Sequence, residues 1–159
     1  MEATIRRATA ADAQGIPGCL DLAFEPYRAL YTLSGYADTV LAPATIYQRL
    51  AAMTVLVAES AAGEIVGTIG CQVAAVEEGH IRGMAVCPRW QGTGTAQRLL
   101  DAAIAELRGL HCSRVTLDTT EPLRRAMRFY QRNGFRPSGR LGDFFGMRLI
   151  EYVKDLGCR

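Results

Sequence analysis

Residues His80 to Leu100, HIRGMAVCPRWQGTGTAQRLL, decide how the chain is expected to fold. The first third reads as a strand whose alternation is interrupted at Gly83, and a glycine inside a strand is typical of a bulge or a close backbone approach. Pro88 ends the strand, and Gln91 to Ala96 is a turn of small residues. Apolar residues then recur with helical spacing from Ala96 to Leu107. The segment is therefore predicted to be a strand, a glycine-rich turn and a helix.

The turn before this helix has the chemistry of an anion site. A helix leaves its first backbone N–H groups without intrahelical partners, at the positive end of the helix dipole. Phosphate is the usual occupant of such a place. The competing interpretation is that small residues at a helix start serve only close packing. We favour the binding interpretation, because the free donors need a ligand or water.

Two nucleotide-binding patterns fit this turn poorly. A Walker-type loop has the form Gly-x-x-x-x-Gly-Lys-Ser/Thr, and the turn contains no Lys. A dinucleotide fingerprint needs a third Gly or Ala three residues after the second, where this chain has Gln97, and no βαβ unit precedes it. A nucleotide-binding domain is therefore the least favoured interpretation.

A second pattern lies downstream, in residues Ala126 to Phe135, AMRFYQRNGF. Ala126 and Tyr130 share one helical face. Asn133 and Gly134 form a helix stop, because the glycine is able to adopt a positive φ. A strand-like segment from Arg114 to Asp118 stands between this pattern and the first one.

Together the two patterns resemble the GNAT superfamily of acyl-CoA-dependent N-acyltransferases. Gln91-x-x-Gly94-x-Ala96, after a Val86-x-Pro88 strand end, is similar to that family's pyrophosphate loop, Gln/Arg-x-x-Gly-x-Gly/Ala. Tyr130-x-x-x-Gly134-Phe135 is similar to the end of the family's late helix. The two motifs stand in family order and at family spacing. The resemblance covers residues 55 to 152 well and the N-terminal third in outline.

The resemblance implies one GNAT N-acetyltransferase domain over residues 1–159. This fold is α/β (α+β in some schemes), with a central mixed, mostly antiparallel sheet that is splayed at the fourth and fifth strands and flanked by helices. The pattern of the residues alone predicts only a mixed α/β or α+β sheet.

Apolar periodicity and turn residues divide the rest of the chain into elements. Strands are expected at 3–8, 54–58, 65–76, 114–118, 135–141 and 144–153, besides the one that starts at His80. Helices are expected at 44–53, from the capping-box pattern at 9–12, and from Glu121-Pro122 with its proline in the first turn. Pro17 is expected to displace or kink the first helix. Residues 25–43 are expected to be turn-rich, and Gly142-Asp143 to be the turn of the last hairpin.

Composition and charge exclude several classes of protein. Hydrophobic residues make up 49% of the chain, so the chain is not intrinsically disordered. The net charge is +2 without a block of like charge, which leaves nucleic-acid binding without an electrostatic footprint. The longest apolar runs are too short to span a membrane.

The cysteines indicate a reducing environment. There are five, an odd number, with no Cys-x-x-Cys pattern and no signal peptide at the start of the chain. These features predict a soluble, cytoplasmic protein. Cys87 lies close to the proposed acyl site, but no His is obviously paired with it, so we expect a small buried hydrophobe rather than a nucleophile.

The resemblance implies acetyl-CoA, or a longer acyl-CoA, as the donor, lying in the splay between the His80 strand and the Arg114 strand. Backbone groups of the strand end, Met84, Ala85 and Val86, would pair with the pantetheine arm, and the N–H of Val86 would polarise the thioester carbonyl. The pyrophosphate would be bound by N–H groups beside Gln91, namely those of Gly92, Thr93, Gly94, Thr95, Ala96 and Gln97. Relatives often have Asn three residues before the helix Ala, where this chain has Leu123.

The implied chemistry is direct attack by an amine on the thioester, which needs a neutral amine and a protonated leaving thiolate. Tyr130 matches the family's general acid, since a phenol with a pKa of about 10 is protonated at neutral pH. The alternative is a core aromatic whose hydroxyl merely touches the sulfur. Relatives often place a Glu near the positions of His80 and Arg82, so the general base stays open. Glu78, expected in a turn, and His80, with a suitable pKa range, rank equally, with Asp118 or a water chain as further alternatives.

The family builds its acceptor pocket from the first two helices, their connecting loop and the last hairpin. These segments supply aromatic rings and carboxylates, which suit a cationic amine: Glu25, Tyr27, Tyr31, Tyr36, Asp38, Tyr47, Phe144 and Phe145. Taken singly, each is better explained as a core or loop anchor. As a group they favour a small amine or an amino acid over a protein N-terminus.

The sequence therefore predicts an N-acetyltransferase that acts on the primary amine of a small molecule or amino acid, without a nucleic-acid, membrane or metal partner. The alternative from another class of function is a non-catalytic acyl-CoA sensor on the same fold. Relatives often dimerise through the last strands, so the resemblance also implies a homodimer, which no residue pattern of this chain indicates.

Overall fold

The computed structural model describes residues 1–157, which form a seven-stranded sheet with helices on both faces. The strands are β1 (Thr4–Arg7), β2 (Thr54–Glu59), β3 (Ile65–Ala75), β4 (Glu78–Val86), β5 (Arg114–Thr120), β6 (Arg136–Phe144) and β7 (Met147–Asp155). The helices are α1 (Gly15–Phe24), α2 (Leu33–Val40), α3 (Pro43–Ala52), α4 (Thr95–Gly109) and α5 (Arg124–Arg132), with short 3-10 turns at Ala10–Asp12, Glu25–Leu30 and Pro88–Trp90. No helix in residues 1–157 has the length and apolar character needed to cross a membrane.

The sheet is splayed between its fourth and fifth strands, as predicted. Its order is β1-β2-β3-β4-β5-β7-β6, and only β4 and β5 pair in parallel. Their ladder is short and ends at the pair Ile81 and Leu117. Beyond that pair β4 continues to Val86 and β5 to Thr120, without pairing to each other. A wedge-shaped opening therefore lies in the middle of the sheet.

A bulge in β4 begins where this opening begins. Gly83 and Met84 together face the single residue Ile69 of β3, because the register shifts between the flanking pairs. Gly83 has a φ of +66°, which glycine adopts without strain. An extra residue bends a strand and increases its local twist. The sequence prediction of a bulge at Gly83 is therefore confirmed, and the bulge turns β4 away from β5.

The core has two layers, one on each face of the sheet. Val55 and Val57 of β2 point toward α1 and α3, whereas Leu56 and Ala58 point toward α4. All four are buried, as expected when successive side chains of a strand reach opposite, covered faces. The residues that fill these layers from the helices are Ile16, Leu20 and Ile46 on one face and Leu99, Leu100, Ala103 and Leu107 on the other.

The N-terminal helices differ from the prediction in two places. The capping box of Thr9 and Asp12 is present, but it opens a 3-10 turn, and α1 begins only at Gly15. Pro17 thereby falls in the first turn of α1, where its missing N–H has no intrahelical partner to lose. Residues 33–40, expected to be turn-rich, form α2, which is capped because the Thr32 hydroxyl accepts the N–H of Gly35 at 3.1 Å.

The start of the last helix and the turn of the last hairpin also lie at other residues than predicted. The expected turn at Gly142-Asp143 is wrong, since β6 runs through both residues. The turn lies at Phe145-Gly146, where both residues have positive φ, +52° and +87°, as in a type I′ hairpin turn. The expected helix start is wrong as well, because α5 begins at Arg124 and Pro122 precedes it.

A buried carboxylate joins the first strand to the first turn. Asp12 is only 6% exposed, and its two oxygens accept hydrogen bonds from Arg6 at 2.9 Å each. One of these oxygens also accepts the N–H of Thr9 at 2.8 Å, and Arg6 donates further to Glu59 at 2.7 Å. The hydrogen bonds from Arg6 are the main reason why the pKa of Asp12 lies below its usual value.

Replacing Asp12 with Asn is expected to lower the free energy of unfolding by about 2 kcal/mol at pH 7, because charge-assisted hydrogen bonds are lost at a buried site. The pKa of Asp12 is lower in the folded than in the unfolded chain, where it is about 4. The stabilisation is therefore complete above that value and is lost as the pH falls through the folded pKa. Urea unfolding at a series of pH values measures both effects.

Asp155→Asn is the matched control for this prediction. Asp155 is exposed and lies 3.4 Å from Arg136, so its loss should change the free energy of unfolding by less than about 0.5 kcal/mol. A deficit of Asp12→Asn that stays constant down to about pH 3 would contradict the assignment.

Candidate active site

A cavity of about 570 Å³ opens at the splay. It is bounded by β4 and β5, by α1, α2 and α3 on one side, and by the turn before α4 and by α5 on the other. Most of the sequence-predicted residues line it: Tyr27, Tyr31, Asp38, His80, Met84, Ala85, Val86, Gln91, Gly92, Gly94, Ala96, Gln97, Tyr130 and Phe144. The structure therefore brings both sequence motifs and part of the expected acceptor pocket around one space.

The turn before α4 presents a run of free backbone donors. Gly92 and Gly94 have φ values of +77° and +85°, and no atom lies within 4 Å of the place where a Cβ would stand on either. The first backbone bond of the helix start runs from the N–H of Arg98 to the carbonyl of Gly94. Within residues 1–157, none of the six preceding N–H groups, 92 to 97, makes a short, well-aligned hydrogen bond. Such a run is able to bind an anion of phosphate size.

Thr93 and Thr95 do not line the cavity. Their two hydroxyls hydrogen bond to each other at 2.8 Å. Thr95 is moreover buried under the turn. The hydroxyl pair ties the turn to the first residue of α4.

Side chains hold this turn against the strand end and against α5. The amide of Gln91 donates to the carbonyl of Val86 at 3.1 Å and accepts from Arg125 at 2.8 Å. On the other side Gln97 donates to Asn133 at 2.7 Å. The turn is thus connected across the splay to both ends of α5. Arg125 was not expected from the sequence, since an arginine in the first turn of a helix carries no distinguishing pattern.

Tyr130 projects from α5 toward the bulge of β4. Its ring packs edge-on against Phe129 and Phe135, with centroid distances of 5.5 Å and 5.7 Å. Among residues 1–157 its hydroxyl finds one acceptor, the sulfur of Met84, which is a weak one, at 3.4 Å. Burial raises the pKa of Tyr130 above its usual value, so the hydroxyl is protonated at neutral pH. The arrangement places a proton donor without a strong protein acceptor at the cavity wall.

His80 lies in the cavity wall with partners on β5. Its Nδ1 is 2.8 Å from the hydroxyl of Thr116, and its Nε2 is 3.6 Å from the carboxylate of Asp118. Burial lowers the pKa of His80, an effect that the charge of Asp118 offsets only in part. Burial likewise raises the pKa of Asp118. The imidazole is therefore neutral at pH 7 and has the protonation state of a base.

Glu78 is not part of this site. It begins β4 instead of lying in a turn, and it pairs with Ala75 on one side and Arg114 on the other. Its carboxylate is 3.5 Å from the Nε of Arg114 and does not line the cavity. The sequence ranked Glu78 equally with His80, because proximity along the chain does not reveal that the splay opens only beyond Ile81.

Cys87 is buried beside another thiol rather than beside a base. Its Sγ lies 3.3 Å from the Sγ of Cys19 on α1, and neither residue lines the cavity. This agrees with its interpretation as a small buried hydrophobe.

Only part of the expected acceptor pocket faces the cavity. The hydroxyl of Tyr31 is 2.8 Å from that of Thr120, which fastens the segment after α1 onto the end of β5. Glu25 is instead paired with Arg28 at 3.1 Å, and Arg28 stacks on the ring of Tyr36 at 4.6 Å. The other residues that the sequence placed here wrongly are Tyr47 and Phe145, both half-exposed and outside the cavity lining.

Several polar side chains of the cavity were missed by the sequence analysis: Thr39, Arg49, Gln72, Thr120 and Arg125. Arg49 lies on α3, where helical periodicity assigns it no role. Gln72 faces His80 across the β3–β4 ladder, which only the register reveals. Their place in the cavity depends on tertiary contacts, which no local pattern of the sequence indicates.

Comparison with known proteins supports the fold and identifies the family. The family model described as Acetyltransferase (GNAT) family matches residues 17–135. No curated protein sequence matches the chain significantly. Similar solved structures share its architecture at low sequence identity, which shows the fold alone.

Three such structures illustrate the likeness. PaiA N-acetyltransferase of Thermoplasma acidophilum, in complex with coenzyme A, is 16% identical with a TM-score of 0.81, over 98% of this chain and 99% of that one. The ribosomal-protein-alanine N-acetyltransferase of Brucella melitensis is 23% identical with a TM-score of 0.72, over 96% and 99%. A GNAT-family acetyltransferase of Staphylococcus aureus is 20% identical with a TM-score of 0.79, over 98% and 99%.

The family model spans both sequence motifs, the bulged strand and the parallel pair at the splay. It matches well over half of the chain, and solved structures of this family share the observed fold. The chain belongs to the GNAT family of acetyltransferases.

Proposed function

We propose that the chain transfers an acetyl group from acetyl-CoA to the primary amine of a small molecule or an amino acid by direct attack. The observation that carries the proposal is the run of backbone N–H groups, 92 to 97, that make no well-aligned hydrogen bond within residues 1–157, beside a cavity that is also lined by the protonated Tyr130. Anion binding at one end and proton donation farther in are what a CoA thioester requires.

The residues present fit the donor. The open approach to Gly92 and Gly94 leaves room for a pyrophosphate against the N–H run, with Gln91 beside it. Beyond Ile81 the edge of β4 that faces β5 has no strand partner within residues 1–157, so those backbone groups of Met84 to Val86 that point into the splay, the N–H of Val86 among them, are available for the amides of the pantetheine arm. Bound acetyl-CoA supplies the acetyl group as an activated thioester.

The direction of the Val86 N–H supports a contact with the thioester carbonyl. Cys87 donates its N–H to Val66 of β3 at 2.8 Å. Successive N–H groups of a strand point to opposite edges, so the N–H of Val86 points into the splay. A fixed backbone donor at that place stabilises negative charge on the carbonyl oxygen as the amine attacks.

His80 and Tyr130 divide the proton transfers between them. With Nδ1 donating to Thr116, the Nε2 of neutral His80 is free to take a proton from the incoming ammonium, directly or through water. The nearby carboxylate of Asp118 then stabilises the imidazolium. The hydroxyl of Tyr130 gives its proton to the leaving thiolate.

A homodimer and a cytoplasmic location stay predictions of the sequence.

The competing function, a non-catalytic acyl-CoA sensor, shares the donor site but lacks turnover. Acetyl-CoA binding without CoA release on any amine would establish the sensor and overturn the proposed reaction.

Gly94→Glu is expected to weaken acetyl-CoA binding at least about tenfold, because the side chain would occupy the open space in front of the N–H run and repel the pyrophosphate. Titration calorimetry measures the effect. Gly63→Glu is the matched control: Gly63 also has a positive φ, +81°, and open surroundings, but lies in the turn between β2 and β3. Equal weakening in both variants would refute the loop as the binding site.

Tyr130→Phe is expected to lower kcat about 100-fold with little change in KM, because the ring packing is kept and only the proton donor is lost. Steady-state CoA release measures both constants. Tyr152→Phe, a second buried tyrosine that does not line the cavity, should leave kcat unchanged. An unaltered kcat for Tyr130→Phe would remove this residue from the mechanism.

His80→Gln is expected to abolish the acidic limb of the pH profile of kcat/KM. In the wild type this limb should lie below pH 6.5, the ordinary pKa of a histidine, since burial lowers the pKa of His80. Activity in the wild type therefore rises with pH through this range, as the imidazole loses its proton. Glu78→Gln, which changes a carboxylate outside the cavity, should keep the acidic limb and move it only slightly to lower pH, because the charge of Glu78 raises the pKa of His80 a little. An unchanged profile in His80→Gln would exclude the residue as the base.

A further inference from the structure

A guanidinium without a counter-ion lies over the bulge. Arg49 projects from α3 into the cavity, and its Nη1 lies 2.5 Å from the place that a Cβ on Gly83 would take. Within residues 1–157 no hydrogen bond or ion pair forms on this guanidinium, and the charges that act on it are those of Arg82 and Asp38. The space that Gly83 leaves open is therefore filled by an unpaired cation beside the start of the splay.

The carboxylate whose charge acts on Arg49 is already paired with another cation. Asp38 of α2 lies 3.4 Å from Arg82, so two arginines share one acidic group. Burial and the charge of Arg82 lower the pKa of Arg49 to about 10, and Arg49 is thus still charged at neutral pH. An unpaired, partly buried charge is costly unless something else pairs with it. A bound anion is such a partner.

A few residues before Gly83 along β4, the cavity wall has a carboxylate beside His80 instead of an unpaired cation. His80 faces Asp118, and Asp118 stands opposite Glu151 in the β5–β7 ladder. About three strand residues, or roughly 10 Å of backbone, separate His80 from Gly83, over which Arg49 lies. The cavity is thus lined both by the carboxylate of Asp118 beside His80 and, farther along β4, by the guanidinium of Arg49.

We propose that the acetyl acceptor is a small amine that also carries a carboxylate, as an amino acid does, and that Arg49 binds this carboxylate. The inference rests on the proposed function and names its substrate class. Guanidinium and carboxylate form paired, charge-assisted hydrogen bonds, so the carboxylate would satisfy Arg49 while the amine lies toward His80. Amines without a negative group, polyamines above all, bring a second cation next to Arg49 and are disfavoured.

The test compares amino acids with their carboxamides, which keep the amine and the side chain and lose only the negative charge. CoA release from acetyl-CoA is measured over a panel of such pairs. The wild type is expected to show a kcat/KM at least about tenfold higher for the acids. This arm uses the unaltered protein and does not depend on the folding of a variant.

Arg49→Gln should reduce this preference for the acids toward unity, mainly through KM, and Arg49→Lys should retain part of it. Comparing the acid-to-amide ratio between proteins cancels the different intrinsic reactivity of the two amines. Arg140→Gln, which removes an exposed arginine of β6 outside the cavity, is the control and should keep the full preference.

Each of the other outcomes overturns either the role of Arg49 alone or the proposed function as well. The role of Arg49 would be refuted if the wild type acetylates amines without preferring the acids, or if Arg49→Gln keeps the preference. Either outcome would leave the acetyltransferase proposal standing. Acetyl-CoA binding in calorimetry without CoA release on any member of the panel would refute the proposed function and the inference together.

Discussion

The separation of β4 from β5 beyond Ile81 and Leu117 is the constraint on which the rest of the site depends. Each strand keeps its other neighbour along its whole length, since β3 pairs with β4 on both sides of the bulge and β7 follows β5 to Thr120. The two strands therefore diverge without a loss of sheet structure on either side. The extra residue at Gly83 and Met84 provides the bend, and the unpaired edge of β4 provides backbone donors and acceptors that need a partner.

The helices give the two sides of this opening different chemistry. The turn before α4 and the helix α5 contribute mainly backbone N–H groups and the Tyr130 hydroxyl, which are held in place by Gln91 and Asn133. On the other side α1, α2 and α3 contribute long side chains. Tyr31, bonded to Thr120, fixes that side to the end of β5. The first side thus contributes backbone N–H groups besides the side chains of α5, whereas the second contributes side chains of three helices.

The sequence predicted the features that local residues determine. Gly83, Gly92 and Gly94 indicated the bulge and the turn because their conformations are specific to glycine. Features set by tertiary contacts were predicted less well. The helix α2 forms around a Thr32 cap in a segment that reads as turns, and the last hairpin turns at Phe145, a residue that rarely adopts a positive φ. Glu78 and Arg49 show the same limit, since the pairing of β4 removes the first from the cavity and the packing of α3 brings in the second.

One side of the cavity depends on backbone N–H groups and the other on side chains, and this difference affects how proteins of this fold diverge. Among ordinary substitutions only proline deletes a backbone N–H, so the six donors at 92 to 97 persist through most changes that keep the turn small. The lining from α1, α2 and α3 changes with every substitution at positions such as Tyr27, Thr39 or Arg49. Under the proposed function, substitutions on this lining change the acceptor pocket and leave the donor site intact. A change of acceptor then need not pass through a form that no longer binds the acyl donor.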